Sequence, residues 1–539
     1  KDAFISFQAD YSQVSQTVQS EKHKDQYSHY GYVGKFTSQR TQEFNRGSFS
    51  PTVNGEETGE EFSGLLSDST TVFYDFEQSD INPILSNYTS NYYEVFQNDV
   101  VGHIDNIVSV QGNGGLVNGD LPNSVYGLWT SMGNPYNGYS KSQNSQFRVS
   151  GRGSATIKDH AIQIGFEYEQ NNDKGYSVNG PAGLWTYGRG LVNTHVAENN
   201  FERGSYDSLL VNTSFGGVNQ YTFVRQYNAE SHNTFDKNLR ASLGLDEQGL
   251  DFIDFDSYGP DSWNIGMFSP DELINGGGYV STNGYNYSGD KLAGSSSLDD
   301  FFNKVDERGD KLRESPSFTP IYMAGYIQDK FAFEDLIFNV GIRIDRYDAN
   351  QSVLKDKYSL FPTKTLADIS DELETSPDVI IPGNIGSDFV VYVSESINPE
   401  VNSIVGFRDG DTWYNAAGEE ISDPKILDAN GIPQPWLVNP SENNVFEHLS
   451  SESFKDYEPQ VNISPRIAFS FPISDEALFF AHYDVLTQRP SGGVNRLNLI
   501  SYLAFEQGTG GTDLNGSIYN NPDLRAEKTI DYELGFQQK

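Results

Sequence analysis

Long runs of strict two-residue alternation, paired through very short turns, constrain this chain more than any other feature of its sequence. From residue 146, Phe147, Val149, Gly151, Gly153, Ala155 and Ile157 fall on one face, and Gln146, Arg148, Ser150, Arg152, Ser154 and Thr156 on the other. After a tight turn at Lys158-Asp159-His160, Ile162, Ile164, Phe166 and Tyr168 continue the apolar face against Gln163, Gly165, Glu167 and Glu169. A period of two predicts strands, because successive side chains of an extended chain point to opposite faces. The unit recurs around Glu334-Asp335, where Leu336, Phe338, Val340, Ile342 and Ile344 oppose Asn339, Gly341, Arg343 and Asp345. It recurs again around Ser474-Asp475, and single alternating segments lie at 3–11 and 529–536. Asp329 breaks the apolar face of its strand, which is tolerable only close to a membrane interface.

Between the hairpins run connections at about 171–208, 350–456 and 489–525, rich in Asn, Gly, Ser, Asp and Pro. Compact soluble domains rarely hold structureless loops longer than about 15 residues. Short turns on one side and long polar loops on the other predict an all-β fold, a transmembrane antiparallel barrel with an apolar outer face and a wet lumen. A soluble sandwich would instead turn every 8–12 residues or so at both ends. Composition agrees. There is no apolar run of about 18 residues to form a membrane helix, and 32 Tyr and 35 Phe argue against wholesale disorder. A net charge of −39 excludes nucleic acid as a partner, and the absence of cysteine removes disulfides, thiol catalysis and thiolate-bound zinc. Tyr11, Tyr30, Tyr32, Tyr168, Tyr347 and Tyr483 lie at or near strand ends, where rings suit a membrane interface, although Tyr is also a good strand former.

The sequence carries no HExxH pair, no GxSxG elbow and no phosphate loop, so no catalytic residue is assigned. Gly508-Thr509-Gly510-Gly511-Thr512 lacks the Lys that would hold a phosphate, and Gly276-Gly277-Gly278 reads as a loop. Asp246, Glu247, Asp251, Asp254 and Asp256 crowd one loop, and Asp409, Asp411, Glu419 and Glu420 another. Without an Asp-x-Asp-x-Asp-Gly frame they read as solvated charge rather than as a Ca²⁺ site, so neither a metal nor a cofactor is expected. Residues 297–312 read as an amphipathic helix capped by Ser297 or Asp299, packing over neighbouring loops; a docking face for a surface lipoprotein is the sharper alternative. The inward-pointing Arg148, Arg152, Glu167, Arg343, Asp345 and Arg466 are the candidates for contacts in the lumen, against the plainer role of solvating it.

Four stretches in order resemble motifs of TonB-dependent outer-membrane transporters: Ala324–Lys330, Gly341–Asp345, Ser464–Phe469, and Asn521-Pro522-Asp523-Leu524-Arg525-Ala526-Glu527-Lys528 running into Tyr532-Glu533-Leu534-Gly535. The acidic, Asn- and Tyr-rich loops and Tyr30-Gly31-Tyr32-Val33-Gly34-Lys35-Phe36 are similar to the Oar-like branch of Bacteroidota. The resemblance implies a barrel of 22 strands in the bacterial outer membrane, in contact with its lipid. It also implies a plug whose movement opens the lumen, and energy delivered through TonB. Residues 1–539 then correspond to part of such a barrel, with the plug and final strands expected outside the chain. The inward charges would touch the plug. Trp413, Tyr414, Trp436 and Phe446 in the 350–456 loop would anchor a folded extracellular cap and its ligand or partner site, or simply pack that cap. Uptake of a bulky solute is the function implied, and a non-transporting scaffold or adhesin is the alternative.

Overall fold

The structure is a computed structural model. It describes residues 3–538 apart from 51, 54–55, 58, 60, 97–105, 124–133, 198–208, 214–217, 224–225, 295, 396–397, 430, 432, 439–448, 491–492, 494 and 507–519. Eight long strands form its frame: β1 (Ala3–Val18), β2 (Gly138–Ile157), β3 (His160–Asn179), β4 (Ile321–Phe333), β5 (Leu336–Asp348), β6 (Gln460–Ser474), β7 (Ala477–Gln488) and β8 (Glu527–Gln538). They pair in chain order and antiparallel throughout, and a short ninth strand, Val280–Asn283, adds to the far end of β3. Each of the turns 158–159, 334–335 and 475–476 lies at one end of this meander, and each of the excursions 19–137, 180–320, 349–459 and 489–526 leaves from the other. Lys158 and Glu334 open their turns at φ 56° and 54°, the left-handed entry that lets a two-residue loop follow the twist of its strands.

The two faces of the sheet differ as the alternation predicts. On the outer face Ile5, Phe7, Phe147, Ile164, Phe166, Ile327, Val340, Ile342, Ile344, Ile463 and Ile467 are exposed. From Leu336 to Ile344 the strand rises ~26 Å at ~3.3 Å per residue. Tilted by ~40°, this gives ~20 Å of height, close to the ~25 Å apolar band of a membrane barrel. The band ends where Arg346 takes the next outer position and pairs with Asp348 at 3.0 Å, while Gln13, Gln170 and Lys528 take comparable outer positions on other strands. At the turn end the rings of His160, Phe331, Phe338, Phe469, Phe479 and Phe536 follow one another across the strands at centroid distances of 5.0–6.2 Å. This is the aromatic girdle expected at a membrane interface. Asp329 sits at this same level, paired with His160 Nδ1 at 2.6 Å, which accounts for a carboxylate on the apolar face. The sheet is the wall of an antiparallel β-barrel.

The tyrosine expectations divide. Tyr11 and Tyr168 lie on the outer face towards the excursion end, and Tyr483 pairs with Tyr532 across β7 and β8. Tyr30 and Tyr32 are not interfacial; they are buried in the first excursion, at 2% and 3% exposure. Tyr347 faces inward and is buried with Ala349, Val353 and Tyr457, because its odd number puts it on the polar face of β5.

The excursions are folded. The largest core gathers Leu184, Trp185, Phe235, Leu239, Phe255, Trp263, Phe268 and Leu273 with Tyr139, Tyr176 and Val178 from the tops of β2 and β3. The strand β3 therefore continues through 171–179, where the sequence predicted loop. Strands Gly34–Phe49 and Phe62–Gln78 form a further long hairpin. The helix expected over 297–312 is limited to Leu298–Asn303, with Ser297 and Asp300 forming a reciprocal cap. It ends because Asp306 accepts from the Arg308 and Asp310 amides and Gly309 takes φ 92°, a turn that brings Val305 opposite Lys311. The apolar stripe fits both conformations, and the Asp-Glu-Arg-Gly turn decides between them.

Candidate functional site: the charged inner wall

Strand register sets the inner face. Glu167, Ala324 and Asp345 lie in one row across β3, β4 and β5, and the small Ala324 leaves two carboxylates with room for a cation between them. Arg343 fills that role: Nε donates to Asp345 Oδ1 at 2.8 Å, and Nη2 donates to Tyr322 Oη at 2.7 Å and Glu167 Oε2 at 3.4 Å. Tyr322 also donates to Asp345, and Arg148 from β2 pairs with Glu167. One strand row higher, Arg489 reaches back from the start of the last excursion to Glu169 Oε1 at 2.6 Å, its guanidinium 4.8 Å from the Tyr322 ring centre. The arrangement is a ladder of alternating charges, Arg148–Glu167–Arg343–Asp345, tied through Tyr322 to Arg489–Glu169. Arg148, Glu167, Asp345, Glu169 and Arg489 line a recess of ≈ 420 Å³ together with Thr487. Gly165 is needed here, since a Cβ would lie 2.5 Å from the ring of Tyr326 on the neighbouring strand.

Of the six inward residues singled out from sequence, Arg148, Glu167, Arg343 and Asp345 come together in this ladder. Arg152 stands apart, donating to Ser6 Oγ at 3.3 Å with its guanidinium 5.8 Å from the Phe4 ring, and Arg466 pairs with Asp484 at 3.1 Å. Tyr322, Glu169 and Arg489 complete the ladder without having been assigned. The alternation already placed Glu169 on the inner face, but only the pairing of β3 with β4 shows which inward groups meet. The arginine ends of these pairs are open to water while Glu169 and Asp345 are buried, so the ladder supplies partners to buried carboxylates and orders the inner face.

The aromatic residues of the 350–456 loop take a different place from the ladder. Residues 363–437 form a closed unit around a five-stranded sheet, with Lys364 N donating to Trp436 O at 2.7 Å and Val438 N to Pro362 O at 3.0 Å at its neck. Trp436 is buried in its core with Val391, Val393 and Phe407. Tyr414 is partly buried and stacks on Phe389 at 5.4 Å. Trp413, with Tyr392 and Tyr358, surrounds the buried Arg408 guanidinium at 4.7–5.9 Å from each ring centre, while Arg408 pairs with Asp356. These rings hold the unit together, and Phe446 lies outside the described residues. Of the acidic clusters, Asp256 is buried and paired with Arg189, Asp254 Oδ2 accepts from the Ser38 amide at 2.9 Å, and Asp411 pairs with Lys357.

The Arg189–Asp256 pair ties the first excursion to the second. Arg189 Nε and Nη2 donate to the two Asp256 oxygens at 2.6 and 2.8 Å, and Nη2 also donates to Asn118 O at 2.7 Å. Asn118 Nδ2 donates to Asp256 Oδ1 at 3.0 Å and its Oδ1 receives the Val33 and Gly34 amides. Burial alone would push the guanidinium down, and the Asp256 charge and hydrogen bonds more than offset this, holding it above its ordinary value.

No family model and no curated protein matches the chain. Among solved structures it is similar to the copper transporter OprC, at TM-score 0.24 and 8% identity over 74% of this chain and 28% of that one. It is likewise similar to the hemophore receptor HasR of Serratia marcescens, in complex with its hemophore HasA and heme, at TM-score 0.26 and 8% identity over 74% of this chain and 30% of that one. The chain thus spans less than a third of either structure. The barrel wall is defined by its own faces, girdle and turns.

Proposed function

We propose that this chain forms part of an outer-membrane transporter of the TonB-dependent kind, and that it imports a bulky solute bound first by the folded excursions. The observation that carries this reading is the polar, charge-paired inner wall, reached from the folded excursions through Arg489, opposite an outer face fit for lipid. A lumen lined by paired charges stays hydrated and offers hydrogen-bond partners to a movable plug or a passing polar solute. No covalent step is needed. The plug, TonB and the membrane lipid are the partners this function requires, with a surface lipoprotein as a further partner at the excursions. The unit 363–437 would contribute to the outer binding surface through its loops, its large rings being used for internal packing.

The neck of that unit makes a clean test. Because Lys364 and Trp436 are hydrogen-bonded neighbours, excising 365–435 and joining the ends with a short Gly-Ser link leaves the wall undisturbed. Cells of the source bacterium carrying this excision should keep a heat-modifiable barrel in the outer membrane. They should fail to deplete from the medium the same solute that a full gene deletion fails to deplete, and a proton uncoupler should reproduce the defect in wild-type cells. Identical depletion profiles in wild-type and deleted cells would favour a scaffold without transport.

A further inference from the structure

The second excursion holds a buried cluster that the charged inner wall does not use. His232 precedes helix Thr234–Ser242, which carries Asp236 and Arg240 one turn apart, and His195 comes from the segment after helix Gly183–Leu191. The side chains of His195, His232, Asp236 and Arg240 are all fully buried. Each imidazole has one nitrogen fixed from behind: His195 Nε2 lies 2.9 Å from Gly249 O, and His232 Nδ1 lies 3.1 Å from Tyr227 Oη. A carbonyl only accepts, so the proton of the neutral His195 ring is on Nε2 and its Nδ1 presents a bare lone pair. That Nδ1 has no hydrogen-bond partner among the described residues. It stands 3.3 Å from Asp236 Oδ2, itself an acceptor, and His232 Nε2 stands 2.8 Å from the same oxygen. Two acceptors facing each other in a buried site repel unless a proton or a metal cation lies between them.

We propose that His195 Nδ1, His232 Nε2 and Asp236 bind a divalent transition-metal ion of the zinc type. The three donor atoms all lie within 4.8 Å of one another. Ligands about 2.0–2.1 Å from a tetrahedral centre stand ~3.3 Å apart, so closure needs small shifts and some opening of the His195–His232 ring stack, now 4.0 Å between centroids. Two imidazoles and one carboxylate suit zinc and its first-row neighbours rather than Ca²⁺ or Mg²⁺. The outer-nitrogen contacts to Gly249 and Tyr227 are the supports that orient metal-bound histidines. Arg240 Nε, 2.8 Å from Asp236 Oδ2, and the Asn193 amide, 3.0 Å from Oδ1, steady the carboxylate and leave it lone pairs for a metal. Because Arg240 already balances Asp236, an anion such as hydroxide or chloride at the fourth position would reduce the added charge. The ion would pin the segment around His195 to helix Thr234–Ser242, acting as a staple within the excursion. The sequence gives little sign of it, since the two histidines are far apart along the chain and the protein has no cysteine.

The test uses the full chain in detergent without a histidine tag, stripped with a chelator and then titrated with Zn²⁺ and, separately, Co²⁺. The expected result is one tightly bound zinc per chain, a rise in the thermal midpoint of the excursions, and the visible d–d bands of a tetrahedral cobalt centre. His195→Gln and His232→Gln should each weaken zinc by about tenfold or more, whereas His160→Gln and His482→Gln, on the wall, should leave it unchanged. The cobalt spectrum is read on the unaltered protein, so it stands even where a variant fails to fold. Absence of tetrahedral bands with stoichiometric cobalt would overturn the proposal, as would zinc binding that survives His195→Gln in a folded protein.

Discussion

Replacing Asp256 with alanine is expected to destabilise the first two excursions by about 3–5 kcal/mol, the loss typical when one partner of a buried ion pair is removed. Arg189 would keep its bond to the Asn118 carbonyl but lose both carboxylate contacts. Asn118 Nδ2 would lose one of its two acceptors in a buried position. Because Asn118 also receives the Val33 and Gly34 amides, the damage reaches the start of strand Gly34–Phe49. Asp484→Ala is the comparison: its partner Arg466 is half exposed, so the change should cost no more than about 1 kcal/mol. Trp185 and Trp263 lie in the adjoining core, so urea unfolding followed by tryptophan fluorescence reads the difference. Equal midpoints for the two variants would mean that the Arg189–Asp256 node carries no such weight.

The second large effect concerns the outer face. Val340→Arg places a charge near the middle of the apolar band, where lipid-facing Arg costs about 2–4 kcal/mol. Asn339→Arg turns the same side chain into the hydrated interior beside Gln328, whose Nε2 now donates to Asn339 Oδ1 at 2.6 Å, and should cost about 1 kcal/mol, the price of that hydrogen bond. Folding into lipid vesicles, followed by the heat-dependent gel shift, should therefore fail or slow for the first variant and succeed for the second.

Much of the wall was legible because strand alternation is local. Phe147 through Ile157, or Leu336 through Ile344, declare their faces without reference to any other segment. Register was not legible. Nothing in the sequence tells that Glu167 and Asp345 flank Ala324, so the inward charges appeared as separate candidates rather than as one ladder reaching Arg489. The folded excursions were still less accessible, because their contacts join distant positions: Trp185 Nε1 donates to Ser28 O at 2.8 Å, and Asp256 meets both Asn118 and Arg189. Tyr30 and Tyr32 were misplaced for this reason, since a ring suited to a membrane interface is equally suited to a core that closes over it. The aromatics of the 350–456 loop show the same ambiguity, and burial assigns Trp413 and Trp436 to packing.

Whether alternate residues of the wall face lipid and lumen can be measured directly. The chain has no cysteine, so single cysteines introduced one at a time from residue 338 to 344 each carry a unique fluorophore without further engineering. In vesicles containing lipid-borne quenchers, labels at 338, 340, 342 and 344 should be quenched strongly and labels at 339, 341 and 343 weakly. A water-soluble quencher should give the opposite order. Quenching that varies smoothly along the segment, or the reverse alternation, would contradict the account.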